Sequence, residues 1–152
     1  MSDPGHGRLS YSGRVSTPEK STHTLADLRD LGPFANTIGL TVTAASPDEL
    51  TASWTVSDGL LQPYGLLHGG HAGQRLDHTA VHAAVWLGPD GQVVGTTNTT
   101  DFFRASRTGD RLTSTARPLH RGRSRQVWRV ETLDEQGRLV AAGQVGIQNL
   151  MS

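Results

Sequence analysis

Apolar and polar residues alternate along much of the chain, which is the pattern of half-buried β-strands. The alternation runs through LTVTAASPDELTASWTVSDGL, where Ser46-Pro47-Asp48 marks a turn between two strands. After a second turn at residues 89–91 it continues in four segments, which are QVVGTTNTTDFFRASR, DRLTSTARPLHRG, RSRQVWRVETLDEQG and RLVAAGQVGIQNL. We therefore predict five or six antiparallel strands.

A segment with the apolar period of a helix lies between the second and third of these strands. Residues 70–88 repeat as an amphipathic helix of about five turns. One helix face combines small residues with a single acid, Asp77, and a second face is mostly apolar. The remaining stripe, which we predict to be solvated or to contact another subunit, consists of His71, Arg75, His78 and His82. One long helix among antiparallel strands predicts an α+β domain in which the helix packs on the sheet.

The N-terminal segment differs from the rest. Residues 1–23 are rich in Gly, Ser, Thr, Pro and Arg and have no apolar period, so we predict a disordered tail before a single domain over residues 24–152. The alternative is an arm that docks on a partner subunit. Thr24 can cap a short helix through Leu31, and Gly32-Pro33 then predicts the end of that helix.

Composition narrows the classes of function. The 152 residues include 14 basic and 14 acidic side chains, a balance that does not indicate a partner among nucleic acids or membrane surfaces. The lack of cysteine excludes disulfides, thiolate zinc sites and a cysteine nucleophile. No apolar run approaches the roughly 18 residues of a membrane span, and the N-terminus lacks a signal-peptide core, so we expect a cytoplasmic protein.

The start of the predicted helix carries the candidate chemistry. Gly69 and Gly70 leave backbone N–H groups free at a helix N-terminus, where an anion or a polarised oxygen is favoured. A carbonyl polarised there and a carboxylate two turns later, Asp77, are the two halves of an acyl-transfer site. The alternative is a structural Asp77 that hydrogen-bonds a neighbouring loop. His78 and His82 have a zinc spacing but lack a third ligand on their face, so we expect no metal site.

These motifs resemble a known family. The segment QPYGLLHGG, with an acid nine positions after its His, is similar to the hotdog-fold acyl-CoA thioesterases. The likeness is greatest to the branch that acts on 4-hydroxybenzoyl-CoA and 1,4-dihydroxy-2-naphthoyl-CoA, and the phenylacetate-pathway thioesterases are also similar. It extends from about Leu31 to the C-terminus through VVGTTNTTDFFRASRTGD and RPLHRGRSRQVWRVETLDEQGRL.

The resemblance implies a hotdog fold, in which a curved antiparallel sheet wraps around one long central helix. It also implies homodimers with a continuous sheet, active sites across the dimer interface, and a tetramer built as a dimer of dimers. The substrate would be an acyl-CoA thioester, hydrolysed without a cofactor. The alternative is a non-catalytic or repurposed hotdog module that binds acyl-CoA.

The resemblance also implies roles for individual residues. The Gly69 N–H would polarise the thioester carbonyl, Gln62 would help to hold it, and His68 would orient the turn. Asp77 of the partner subunit would be the nucleophile or the general base. Two departures are Asp77 itself, where the aryl-CoA branch usually has Glu, and Val81, where the family often has Ser or Thr. The candidates for substrate contact are Leu67, Gly70, Thr96, Thr97, Phe102, Phe103, Arg104, Arg121, Gly122, Arg123 and Ser124.

Three of these assignments have simpler alternatives. The turn that contains Arg121 to Ser124 would bind the coenzyme A phosphates, but it could equally be a solvated basic turn. Phe102 and Phe103 would line the acyl pocket or pack in the core. Thr96 and Thr97 would help to place water, or would be ordinary strand residues.

Overall fold

The secondary structure comes from a computed structural model that describes residues 32–46, 48–73, 75, 79 and 92–150. It contains helix α1 (Gly32–Ile38) and strands β1 (Thr41–Ser46), β2 (Glu49–Thr55), β3 (Val93–Phe102), β4 (Arg111–Arg121), β5 (Arg125–Leu133) and β6 (Leu139–Asn149). A short 3-10 helix covers Asp58–Leu60. Residues 69–73, 75 and 79 are also helical, and we call them α2.

The strands form one six-stranded sheet in the order β1-β2-β4-β5-β6-β3. Each pair of neighbours is antiparallel. The sheet confirms the predicted strands, and with the helices it confirms the α+β class. The turn before β2 lies at the predicted position, although Pro47 itself is outside the described residues. No helix in the described part of the chain is long and apolar enough to cross a membrane.

The alternation that predicted the strands corresponds to one buried face of the sheet. In β5, Gln126, Trp128, Val130 and Thr132 are buried while their neighbours are more exposed. Buried polar groups on this face are paired, as burial requires. The Trp54 indole N–H donates to the Ser114 hydroxyl at 3.1 Å, and that hydroxyl lies 2.7 Å from the hydroxyl of Thr132.

Arg75 departs most clearly from its predicted environment. We expected it on a stripe that is solvated or contacts another subunit, but the residue is 0% exposed within this single chain. Its guanidinium lies 4.4 Å from the centre of the Trp54 ring and donates to the carbonyl oxygens of His71 and Ile38. The Ile38 carbonyl ends α1, where a cation is favoured. Burial lowers the pKa of Arg75 to about 10, so the group stays protonated at neutral pH.

The Gly32-Pro33 pair has a role that was not predicted, because it begins α1. Gly32 has a φ of +82°, which glycine tolerates, and proline suits the first helical turn because its missing N–H would have no partner there. The predicted helix from Thr24 to Leu31 and the predicted tail over residues 1–23 lie outside the described residues.

Strand β3 is an edge strand that approaches β6 unusually closely. A Cβ added to Gly143 would lie 2.5 Å from the backbone oxygen of Thr99, and one added to Gly146 would overlap the hydroxyl of Thr97. The two glycines of β6 therefore set the position of β3. The other edge of β3 has no neighbouring strand in the described sheet.

We predict that Gly143→Ala lowers the free energy of unfolding by about 1–3 kcal/mol, because the added methyl group forces β3 away from β6. The matched control is Gly59→Ala, since nothing lies within 4 Å of a Cβ at Gly59. Denaturant unfolding of both variants measures the difference. Equal stability of the two variants would contradict the close β3–β6 contact.

Candidate active site

The segment that leads into α2 is a tight turn. The Gly65 N–H donates to the Gln62 carbonyl at 2.9 Å, and the Gln62 N–H donates to the Leu66 carbonyl at 2.7 Å. Pro63 occupies the second position of this turn, where its fixed φ is favourable. The turn places Gln62 beside the strand-like bridge between Leu61 and Leu67.

Two backbone hydrogen bonds hold the end of this turn in place. The His68 N–H donates to the Leu60 carbonyl at 2.9 Å, and the Leu67 N–H donates to the Ser106 carbonyl at 2.8 Å. The second bond joins the start of α2 to the loop that follows β3. That loop begins with Phe103 and Arg104, which follow the last residue of β3.

The His68 side chain caps α2. Its Nδ1 accepts a hydrogen bond from the Gly70 N–H at 3.0 Å, so it satisfies one of the free donors of the first helical turn. The His68 carbonyl accepts from the N–H groups of His71 and Ala72, which begins the helix. These bonds tie His68 to the first turn of α2, and its orienting role stays a prediction.

Gly69 presents a free donor beside an aromatic ring. Among the described residues, no acceptor lies within hydrogen-bonding distance of its N–H group. A Cβ at Gly69 would lie 3.2 Å from the Phe102 ring, so the ring lies directly against this glycine. Phe102 is 53% exposed and Phe103 is 59% exposed, so neither belongs to the core of this chain. The start of α2 therefore lies beside a partly exposed aromatic ring.

Gln62 supplies a second donor. Its Oε1 accepts from the Tyr64 N–H at 2.6 Å, which fixes the plane of the amide and leaves the Nε2 hydrogens available. No acceptor for Nε2 is found in the described part of the chain. The arrangement can hold a carbonyl oxygen that gains negative charge, if that oxygen reaches both donors.

The basic residues lie in a separate cluster at the turn between β4 and β5. This turn includes Gly122, Arg123 and Ser124, and it closes through the Gly122 N–H, which donates to the Arg125 carbonyl at 2.8 Å. Arg121 pairs with Asp48 at 2.6 Å on the surface. The charge density of the turn suits an anion.

Thr96 and Thr97 lie near this basic turn instead of near Gly69. A Cβ added to Gly146 would approach the Thr96 hydroxyl and Nη2 of Arg125, each at 3.2 Å. Both threonines are exposed, as expected for strand residues on an uncovered edge. Their position favours a role at the basic turn over a role in placing water near Gly69 of the same chain.

The two clusters lie at opposite ends of β3. Val93 pairs with Asn149, next to the basic turn, and Phe102 pairs with Ala141 at the far end. Nine residue steps along a strand span about 30 Å. The structure therefore brings together Gln62, Leu67, His68, Gly69, Gly70 and Phe102, with Phe103 and Arg104 following. It does not bring them to Arg121, Gly122, Arg123 and Ser124 within one chain.

One contact at the site was not predicted from the sequence. The Asn98 side chain, in the middle of β3, donates from Nδ2 to the Gly73 carbonyl of α2 at 3.0 Å. Its Oδ1 accepts from the Thr100 hydroxyl at 2.7 Å. Asn is disfavoured within strands, and that is the signal that could have identified this residue.

Several predicted residues lie outside the described part of the structure. These are the acid Asp77, the departure Val81, and the histidines His78 and His82. Among the described residues, no group of three His, Asp or Glu side chains could hold a metal ion.

The chain matches known proteins over most of its length. A family model described as the thioesterase superfamily matches residues 64–141, which is 78 of the 152 residues. Rv1847 of Mycobacterium tuberculosis strain H37Rv, which is named an esterase, is 41% identical over 136 residues. That match covers 87% of this chain and 96% of Rv1847.

Two further proteins are similar to this chain. The 1,4-dihydroxy-2-naphthoyl-CoA hydrolase of Escherichia coli strain K12 is 37% identical over 100 residues, covering 64% of this chain and 72% of that enzyme. The crystal structure of S. sahachiroi AziG superposes with a TM-score of 0.76 at 50% identity, covering 80% of this chain and 99% of AziG.

We predict that His68→Leu lowers the free energy of unfolding by about 1 kcal/mol, because α2 loses its side-chain cap. His68→Asn keeps an acceptor on a short side chain and should stay close to the wild type. Urea unfolding measures both variants, and hydrogen exchange at the Gly70 amide reports the cap directly. Equal losses of unfolding free energy in the two variants would show that the imidazole ring, and not the hydrogen bond, stabilises the start of α2.

Proposed function

Because this chain belongs to the thioesterase superfamily and is a thioester hydrolase, we propose that it hydrolyses an acyl-CoA thioester, with an aryl acyl group favoured, to the free acid and coenzyme A. Its antiparallel sheet and helix α2 agree with the hotdog fold that the resemblance implied. The observation that carries the proposal is a pair of donors without an acceptor among the described residues, the Gly69 N–H at the start of α2 and Nε2 of Gln62 in the turn before it.

These two donors would hold the carbonyl oxygen of the thioester. Negative charge collects on this oxygen when the carbonyl carbon is attacked, and the N-terminus of a helix favours that charge. Loss of one such donor typically raises the barrier by about 3 kcal/mol. The His68 cap keeps the first turn of α2 in shape without competing for the oxygen.

Asp77 would activate the attack. As a general base, it takes a proton from water, the water oxygen bonds to the carbonyl carbon, and the C–S bond breaks to release the thiolate, which is then protonated. As a nucleophile, its carboxylate oxygen bonds to the carbonyl carbon and the C–S bond breaks to release the thiolate, and water then hydrolyses the mixed anhydride to the free acid and the Asp77 carboxylate. Asp77 follows Gly73 by four positions, the spacing of one helix face, and the Gly73 carbonyl is bound by Asn98 of β3.

The free edge of β3 supports a site built from two subunits. Its residues from Thr96 to Thr99 are exposed, and a long unpaired edge strand is a template for another strand. When two β3 edges pair antiparallel about a two-fold axis, the Phe102 end of one strand lies beside the Val93 end of the other. The partner's basic turn and Asp77 would then complete the site, in a homodimer or a dimer of dimers.

The substrate would span this interface between the two subunits. The acyl group would contact Leu67, Phe102 and Phe103 near the polarised carbonyl, and Arg104 would lie at the pocket mouth. The coenzyme A phosphates would contact Arg121 and Arg123 of the partner's turn, with Thr96 and Thr97 beside it. The exposed aromatic rings favour an aryl group, in agreement with the similarity to the naphthoyl-CoA hydrolase.

A second candidate function is acyl-CoA binding without turnover. Val81 motivates it, because a valine side chain cannot hydrogen-bond a water molecule where the family often has a hydroxyl. Tight binding of acyl-CoA with no turnover on any thioester would favour this second function.

We predict that Asp77→Asn lowers kcat by about 100-fold or more, because the amide can neither take a proton nor attack the carbonyl. Gln62→Ala should lower kcat by a similar factor through loss of a donor to the oxyanion. Thiol release from a panel of aryl-CoA and alkyl-CoA esters measures both effects, with the exposed Arg129→Ala as the control. Unchanged rates in Asp77→Asn would exclude the proposed role of this acid.

A further inference from the structure

One buried residue donates hydrogen bonds to the carbonyl groups of the basic turn. Asn149, the last residue of β6, donates from Nδ2 to the carbonyl oxygens of Gly122 at 3.1 Å and Arg123 at 2.9 Å. Its backbone N–H donates to the Ser124 carbonyl at 2.9 Å. Three consecutive carbonyls of an exposed turn therefore point towards a residue that is 5% exposed.

A buried relay of hydrogen bonds, which runs from Trp128 through Gln126, fixes the orientation of the Asn149 amide. The Trp128 indole N–H can only donate, and it donates to Oε1 of Gln126 at 2.9 Å. Nε2 of Gln126 therefore faces Asn149 and donates to its Oδ1 at 2.6 Å. Since Oδ1 is occupied as an acceptor, Nδ2 of Asn149 must face the turn. Gln126 is 2% exposed and Trp128 is 0% exposed, so this relay is shielded from water.

The inward carbonyls determine where the N–H groups of the turn point. The described peptide bonds include no cis bond, and in a trans peptide the C=O and N–H groups point in opposite directions. The N–H groups of Arg123 and Ser124 must therefore point away from Asn149. No acceptor for either group is found among the described residues. Two adjacent N–H groups that point outward from a turn can both donate to one anion, and this exposed turn also carries arginines.

We propose that Asn149 is a positioning residue for phosphate binding, which holds the turn so that the N–H groups of Arg123 and Ser124 receive a phosphate of the substrate. The identity of that phosphate as part of coenzyme A rests on the proposed function. The Trp128–Gln126 relay keeps this geometry before the ligand arrives, so binding does not have to order the turn. Asn149 itself touches no substrate.

The test compares two thioesters of the same acyl group. One is the CoA ester, and the other is the N-acetylcysteamine ester, which has no phosphate. Asn149→Leu removes the Nδ2 donors in a side chain of similar shape, and Asn149→Asp removes them but keeps an acceptor for Gln126. Because Asp adds a negative charge that could itself repel phosphate, only an effect shared with the neutral Leu variant counts as evidence.

For both variants we expect KM for the CoA ester to rise by about tenfold with kcat nearly unchanged. The reason is that the phosphate contact stabilises the bound substrate and the transition state equally. The kcat/KM for the N-acetylcysteamine ester should not change. The control is Thr132→Val, which loses a buried hydrogen bond to Ser114 far from the turn. It should leave the ratio of the two KM values unchanged.

The outcomes separate this inference from the proposed function. If the wild type hydrolyses thioesters but the Asn149 variants affect both esters equally, or neither, the positioning role is overturned and the proposed function stands. If the wild type hydrolyses no thioester, the proposed function fails. Calorimetry with coenzyme A then decides the inference, because equal affinity in the wild type and Asn149→Leu would overturn it, and at least about tenfold weaker binding would support it.

Discussion

The contact between β3 and β6 determines where the candidate residues lie. Gly143 and Gly146 have no side chains, so Thr99 and Thr97 of β3 lie directly against β6. At one end of this ladder, Phe102 packs on Gly69 at the start of α2. At the other end, β3 begins beside Asn149 and the basic turn. One strand pairing thus holds the cluster around Gly69 and the basic turn about 30 Å apart.

Because the two clusters lie far apart in one chain, the free edge of β3 matters for the proposed function. A lone chain would leave the strand unpaired and its aromatic end exposed, which is unfavourable for a long edge. The proposed pairing of two copies would remove both problems and would bring opposite clusters together. Catalysis and substrate binding would then depend on the same interface, because each subunit supplies one half of two sites.

Much of the fold could be predicted from the sequence, because alternation in the strands is a local signal. The existence and order of the strands, the turn that contains Gly122 and the helix start at Gly69 are confirmed. The predicted environment of Arg75 was wrong because its burial depends on Trp54 and on the end of α1, which are distant in sequence. The spacing of the two clusters could not be predicted either, since strand register follows from long-range pairing.

The candidate site could be predicted only in part. Gln62, His68 and Gly69 follow from a short motif, and the structure places them together. Their roles, and that of Asp77, come from the resemblance and stay predictions. An asparagine within a strand is a local signal at Asn98, but its contact with α2 and the contact of Asn149 with the β4–β5 turn follow from pairing between distant segments.

The most direct test of a site shared by two subunits is complementation between two inactive variants. Gln62→Ala and Asp77→Asn chains are co-expressed in equal amounts, and thiol release from an aryl-CoA ester is measured on the mixed protein. If Asp77 acts across the interface, half of the sites in each mixed dimer are intact, and random mixing restores about a quarter of the wild-type activity. Activity no higher than that of the separate variants would show that Asp77 acts with Gln62 of its own chain.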